Sequence, residues 1–295
     1  ASDVYKRQVF NGISLGSVYA IIALGYTMVY GIAKMLNFAH GDVIMIGGYV
    51  LFSMIYGSGT NVFAALIVAM VVCTVLGVVI EKVAYKPLRE ASSLAVLITA
   101  IGVSILLQNI AQLIFTSQPK MFRNPIKLGS VKMFGANIEG STILMIVLGI
   151  IIVVALSIFI RKTKTGRAML AVSEDKDAAK LMGINVNTTI TITFAIGSAL
   201  AALASLLMFN AYPSLIPTSG SMPGIKAFVA AVFGGIGSIP GAMVGGIVLG
   251  IIEVLSGAYI PNGTKLANAI VFVVLIVVLI FKPTGLFGKK IKEKV

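Results

Sequence analysis

The side chains able to do chemistry in this 295-residue chain are few and unevenly placed. There is one histidine and one cysteine. His40 stands in "MLNFAHGDVIMIGG" with Asn37, Gly41 and Asp42, polar groups set between apolar stretches, while Cys73 lies inside an apolar run. Glu253 follows the uncharged run Ala227–Ile252. The densest charged set is "TGRAMLAVSEDKDAAKLMGINV", Thr165–Val186, with Arg167, Glu174, Asp175, Lys176, Asp177 and Lys180. No nucleophile–base constellation can be built from these residues, so they do not point to an enzyme. Cysteine metal sites and disulfides are excluded by count. His40 lacks partners at ligand spacing and is a poor metal ligand; hydrogen bonding beside Asp42 suits it better. No GxxxxGK[ST] is present, and "GLFGKK" lacks a glycine at the spacing a phosphate-cradling loop needs. What remains is the chemistry of polar groups in apolar surroundings, which hydrogen-bond or ion-pair with one another or with a passing solute.

The elements that must position them are membrane helices. Hydrophobic residues make up 58% of the chain and charged residues 11%, and mean hydropathy is +1.03, outside the range of soluble domains. A spanning helix needs about 20 apolar residues to cross about 30 Å of hydrocarbon. Apolar runs cover Val9–Ala33, Val43–Tyr56, Val62–Ile80, Leu94–Phe115, Thr142–Ile160, Thr189–Ala211, Ala227–Ile252 and Leu266–Phe281. They are continuous, with none of the period-two alternation of a transmembrane barrel. The expected fold is all-α, a polytopic transmembrane helical bundle of about 8–10 membrane segments, one or two of them broken or re-entrant. Small-xxx-small spacing in "GSALAALASLL" and "GAMVGGIVLG" fits close helix packing. Thirteen Met and fifteen Phe scatter without a stripe and read as packing residues.

The net charge of +13 lies in clusters that follow apolar runs: Lys82, Lys86 and Arg89; Arg161, Lys162, Lys164 and Arg167; Lys282, Lys289, Lys290, Lys292 and Lys294. That is the positive-inside pattern, with anionic lipid as neighbour and no sign of nucleic-acid binding. Residues 1–8, "ASDVYKRQ", fit nothing after them and are set aside as non-native or disordered. The transmembrane domain is then 9–281, with a cytoplasmic region 161–188 and a basic cytoplasmic tail 282–295.

With the clusters inside, Ser117–Gly140 lies outside despite Lys120, Arg123, Lys127 and Lys132. A single crossing by Ala227–Ile252 would leave the basic tail outside, so this segment is expected to enter and return. Its "AVFGGIGSIPGAMVGG" carries Gly234, Gly235, Gly237, Pro240 and Gly241, which break helices. Interrupted segments in opposite halves point to a transport pathway. Asn37, His40, Asp42, Gly234, Gly235, Gly237, Pro240, Gly241 and Glu253 are therefore the candidate pathway residues. The plainer alternatives are polar loops at the membrane surface, and for Glu253 a pairing with Lys226 or Lys265 near the outer surface. Gln108 and Asn109, inside Leu94–Phe115, read as bonds between helices.

In the charged stretch, Ser173 is the candidate N-cap, Glu174 and Asp175 suit the positive end of the helix dipole, and Gly183 is placed to end the helix. A helix of about nine residues reaches about 14 Å and cannot span. Ala178, Leu181 and Met182 share one face and Asp177 and Lys180 another. Either a partner docks there, or the helix lies solvated against the bilayer.

Several stretches together resemble one family. "NGISLGSVYAIIALGYTMVYGIAKMLNFAHGDVIMIGGY" (Asn11–Tyr49), the charged stretch, "GIKAFVAAVFGGIGSIPGAMVGGIVLGIIE" (Gly224–Glu253) and "KPTGLFG" (Lys282–Gly288) are similar to the branched-chain amino acid permeases of bacterial ATP-binding-cassette importers, nearest their H-type subunits. The resemblance implies that Glu174, Asp175, Asp177, Ala178, Lys180, Leu181, Met182 and Gly183 form a coupling helix that inserts into a cytoplasmic ATPase. It implies two such ATPase subunits carrying ATP and Mg, a second related permease, an extracytoplasmic binding protein, and a place in the bacterial inner membrane. No cofactor is implied on this chain. Urea and amide permeases look similar, and an ion-coupled secondary transporter or a membrane scaffold are the rival readings. Ion coupling would favour several acids at membrane depth, and only Glu253 and Asp42 are placed for that.

Overall fold

A computed structural model describes residues 2–123, 126, 128–133 and 136–288. The chain forms α1 (Ser2–Ala33), α2 (His40–Phe52), α3 (Val62–Ile80), α4 (Ser93–Phe115), α5 (Gly140–Lys162), α6 (Lys164–Glu174), α7 (Lys176–Leu181), α8 (Val186–Ala211), α9 (Ser221–Gly234), α10 (Ile239–Tyr259) and α11 (Gly263–Phe281). Short strands β1 (Lys120–Met121), β2 (Ser130–Met133), β3 (Ala136–Glu139) and β4 (Ser214–Leu215) make two antiparallel pairs, β1 with β4 and β2 with β3. Helix starts fall where side chains can take up orphan N–H groups: Ser92, Thr163, Asn185 and Ser238 each accept a hydrogen bond from the backbone they cap.

Among the described residues, six stretches are long and apolar enough to cross a membrane: Val4–Ala33, Val62–Leu88, Ser93–Phe115, Gly140–Lys162, Val186–Ala211 and Ile239–Tyr259. Ser221–Gly234 and Lys265–Phe281 are shorter apolar helices. The expected polytopic bundle is therefore present, with two adjustments. Residues 2–8, set aside from the sequence, continue α1 without a break. Ala227–Ile252 is divided between α9 and α10, joined at residues 235–238, so the segment does turn back. Lys127, Lys289, Lys290, Lys292 and Lys294 lie outside the described residues.

The chain divides into two compact units. The first comprises residues 1–27, 128–153 and the chain from Lys226 on. In it the expected small-residue packing appears as near contact of backbones: a Cβ on Gly16 would sit 2.5 Å from the Ile247 Cα, and one on Gly250 2.2 Å from the Gly16 nitrogen. Glycine is what lets α1 and α10 approach this closely. Where α1 begins, Arg7, Phe10 and Asn11 line a cavity of about 250 Å³ together with Asn137, Ile138 and Glu139 of β3. The start of α1 thus shares the side of β3, which the charge pattern reads as the outer side.

The second unit comprises residues 28–127 and 154–225. Here α2, α3 and α8 pack through small residues: a Cβ on Gly47 would meet Ala202 and Ser205, and one on Gly77 would meet Ser198. Phe122, before α5 in the outer loop, stacks on Phe209 near the end of α8 with centroids 5.4 Å apart, and Phe52 and Tyr56 pack against the same ring. Past Ile80, α3 continues as a π-helical turn, Glu81–Tyr85, and a 3₁₀ turn, Lys86–Leu88.

Candidate functional site

In the second unit the two interrupted elements meet end to end. α1 stops at Ala33, Lys34 takes a left-handed φ of 59°, and residues 34–37 run without regular structure to a turn in which the His40 N–H donates to the Asn37 carbonyl at 3.1 Å. α2 starts there. On the other strand of the chain, β4 leads into the turns of residues 216–220, where Ser219 N–H donates to Ile216 O and Ser221 N–H to Thr218 O, and α9 starts at Ser221. The backbones touch at Gly41 and Gly220: a Cβ on Gly41 would lie 2.3 Å from the Gly220 oxygen, and one on Gly220 1.9 Å from the Gly41 oxygen. Two helix N-termini, each the positive end of a dipole, therefore converge on one spot.

Side chains from α4 tie the junction together. Gln108 Nε2 donates to Asp42 Oδ1 at 3.0 Å and to Ser221 Oγ at 3.0 Å, and lies 3.1 Å from Ser104 Oγ. Asp42 is 1% exposed. Gln108 does bond between helices, and the helices it joins are the two short ones; Asn109, by contrast, donates to Ile105 O within its own helix. Two independent markers set the depth. Ser104 and Gln108 sit near the middle of Ser93–Phe115, and Cys73, midway along Val62–Leu88, donates through its thiol to the Val43 carbonyl at 3.6 Å. The junction lies at the mid-depth of the spanning helices. Non-helical backbone is tolerated at such depth only when packed in protein or lining a wet cavity.

Asn37 lies on the approach to α2, where its Oδ1 accepts from the Tyr85 hydroxyl at 3.0 Å; Leu36 O is 3.4 Å from the same hydroxyl. His40 is buried at the start of α2. Asp42 accepts from Gln108 of α4, the bond between helices that the sequence reading gave Gln108 without naming its partner. Nearby in the chain, Glu81 is fully buried and accepts from Arg89 and, at 2.8 Å, from the Thr191 hydroxyl; Arg89 also reaches Asn187. Sequence reasoning missed this network because Arg89 read, with Lys82 and Lys86, as part of an inner basic cluster, and Glu81 was not singled out.

The glycine cluster is placed differently from the expectation. Gly235 and Gly237 have φ of 103° and 91°, Pro240 stands in the first turn of α10, and Ser238 caps it by accepting from Gly241 N–H at 3.2 Å. Leu286 and Phe287 N–H groups donate to Phe233 O and Gly234 O, both at 2.9 Å, so the segment after α11 is strapped onto this turn. Gly234–Gly241 is thus a tight turn between α9 and α10. α9 is 14 residues long, about 21 Å at 1.5 Å per residue, and its opposite end carries the junction. The backbone that meets α2 is residues 216–220, whose "PTSG" gave a loop signal but no sign of depth.

In the first unit Glu253 is paired, as the alternative reading held, with Lys226: Nζ to Oε1 is 2.6 Å. Tyr19 donates to Oε2 at 2.9 Å, and the Lys226 ammonium lies 5.8 Å from the Tyr19 ring centroid. The depth differs from that reading, because Tyr19, which donates to the pair, is in the middle of Val4–Ala33.

The charged stretch forms two helices. Ser173 does not cap; it lies in the last turn of α6 and donates to Leu170 O at 2.7 Å. Asp175 caps instead, its Oδ1 accepting from Asp177 and Ala178 N–H at 2.9 and 3.0 Å, because the chain turns extended at Asp175, where a short carboxylate can reach back. Glu174 consequently ends α6. Gly183, at φ 81°, ends α7, with Ile184 N–H donating to Ala179 O. Ala179 is buried, Asp177 and Lys180 pair at 3.2 Å in solvent, and Ala178, Leu181 and Met182 face outward, the last two 89% and 82% exposed. Among the described residues no group of three His, Cys, Asp or Glu could hold a metal ion.

Residues 8–279 match the family model described as the permease component of the branched-chain amino acid transport system. The chain is 45% identical over 303 aligned positions to the high-affinity branched-chain amino acid transport system permease protein LivH of Salmonella typhimurium, covering 99% of this chain and 98% of that protein. It is 43% identical to the corresponding BraD protein of Pseudomonas aeruginosa with the same coverage. A probable LivH of Methanocaldococcus jannaschii is 29% identical over 99% of this chain and 96% of its own.

Proposed function

The chain belongs to the branched-chain amino acid transport permease family, and from that premise we propose that it imports branched-chain amino acids across the bacterial cytoplasmic membrane, driven by ATP hydrolysed on other subunits. The observation that carries the reading is the mid-depth meeting of α2 and α9 at Gly41 and Gly220, bridged through Gln108 to Asp42 and Ser221. A zwitterionic amino acid offers a carboxylate, which helix N-termini favour, and an ammonium, which a buried carboxylate such as Asp42 favours. Urea and short amides carry neither charge and draw less from both features, which makes them the secondary reading. Asn37 and His40 line the approach in this scheme, and the paired Glu253 together with the Gly234–Gly241 turn support the bundle around the path.

ATP and Mg belong to two cytoplasmic ATPases in this proposal. A second related permease completes the channel, and a binding protein delivers substrate from outside. The apolar tip of α7, Leu181 and Met182, is what an ATPase groove would cover. Leu181→Asp combined with Met182→Asp is expected to reduce ATPase pull-down by about tenfold or more, because burying a carboxylate in an apolar groove without a partner is strongly unfavourable. Wild-type pull-down by that variant would remove α7 from the docking surface. The function itself is tested by purifying the permease with its ATPases and binding protein and measuring uptake into vesicles. Leucine, isoleucine and valine are expected to enter only with internal or external ATP on the ATPase side, and urea not to enter. Urea uptake without branched-chain uptake would overturn the substrate assignment.

A further inference from the structure

We infer that Lys176 is the positioning residue through which movement of α7 reaches the mid-depth junction. The inference rests on the coupling role proposed above for α7. Lys176 is the first residue of that helix, and its Nζ donates at 2.9 Å to the carbonyl of Ala33, the last residue of α1. A helix C-terminus presents unsatisfied carbonyls and the negative end of a dipole, so an ammonium there makes a charge-assisted bond that holds the helix end to its partner. Only the segment 34–39 separates this anchor from His40. That segment is itself held by the Tyr85 hydroxyl on Leu36 O and Asn37 Oδ1, and it delivers the chain directly to Gly41 and Asp42. The opposite end of α7 is the exposed Leu181–Met182 tip. A push on the tip therefore reaches Ala33 through one side-chain bond, and the residues after Ala33 are the ones that set where α2 begins.

The surroundings of Lys176 show that its position is not that of an idle surface lysine. Partial burial, followed by the charges of Arg89, Lys34 and Lys180, holds its ammonium below the ordinary lysine range, against the opposing pull of Asp177. Positive groups are gathered here although they repel, which fits a cluster assembled on the carbonyl end of α1. A neutral side chain of the same length would lose this charge-assisted bond.

The test compares Lys176→Met and Lys176→Arg in the assembled importer, permease with ATPases and binding protein, in vesicles, reading substrate moved and ATP hydrolysed together. Lys176→Met is expected to assemble at wild-type yield and to hydrolyse ATP, while substrate moved per ATP falls about tenfold. Lys176→Arg, which keeps the charge and a donor, is expected to restore most of that ratio. A methionine variant whose ratio stays within about twofold of wild type overturns the inference, and so does loss of ATPase assembly, which would make Lys176 part of the docking surface. Absence of ATP-driven uptake by the wild-type complex would instead remove the proposed function, and this inference with it; the wild-type lane separates the two failures.

Discussion

Gly220→Val and Gly41→Val are each expected to abolish uptake. Added Cβ atoms would stand 1.9 Å and 2.3 Å from the facing carbonyl oxygens, whereas real Cβ contacts essentially never fall under 3.0 Å. The neighbours met are backbone atoms, so no rotamer change relieves the overlap, and the two helix starts must separate. Separation pulls Asp42 and Ser221 away from Gln108, leaving polar groups without partners at a depth where each costs several kcal/mol. α7 is formed by a different stretch, so ATPase pull-down is expected to persist while transport is lost. Gly235→Val and Gly237→Val act elsewhere: their positive φ makes a side chain cost about 1–3 kcal/mol each, a strain on the α9–α10 turn that is expected to lower yield before it touches the path. Normal uptake by Gly220→Val would show that the junction is free to open, and would end its role here.

Glu253→Gln is expected to do the most damage to folding of any single change in the first unit. It leaves the Lys226 ammonium, whose side chain is 10% exposed, with no carboxylate at mid-span, and breaking a buried pair by removing one partner costs roughly 3–5 kcal/mol. Total stabilities run only about 5–15 kcal/mol. Tyr19 remains, but its ring and hydroxyl do not neutralise the charge. The double variant Lys226→Met with Glu253→Gln removes both charges and is expected to recover most of the loss, since well-packed neutral residues often replace a buried pair without penalty. The measurement is the thermal midpoint and monodisperse yield of the purified permease. A single variant as stable as wild type, or a double variant no better than the single, would show that the pair is not holding α1, α9 and α10 together.

Much of this was legible in the sequence because hydrocarbon imposes its demands one segment at a time. Runs of apolar residues, and "NFAHGD" between two of them, led to the spans and one of the two broken segments. Gly183 ended α7 as its backbone freedom allows. The second break is less legible: Gly234–Gly241 carries the stronger helix-breaking composition, whereas "LIPTSG" reads as an ordinary surface loop, and its depth shows only through Gln108, which reaches Ser221 from near the middle of α4. The α7 cap went to Asp175 over Ser173 because α6 runs on through Ser173, an amphipathic continuation that the charge pattern concealed. Gln108 and Lys176 act through partners 66 and 143 positions away, and no local pattern reports such pairings.

The mid-depth junction as part of the route is tested most directly by reactivity at Ser221. Cys73 is the chain's one cysteine, so a Cys73→Ala background gives a permease into which Ser221→Cys places a single thiol beside Gln108. With ATPases and binding protein assembled in vesicles, a charged, membrane-impermeant thiol reagent is expected to modify that cysteine from one side without nucleotide and from the other with nucleotide trapped, and leucine is expected to protect it. A thiol that stays unmodified from both sides in every state, in a variant that still takes up leucine, would contradict the account.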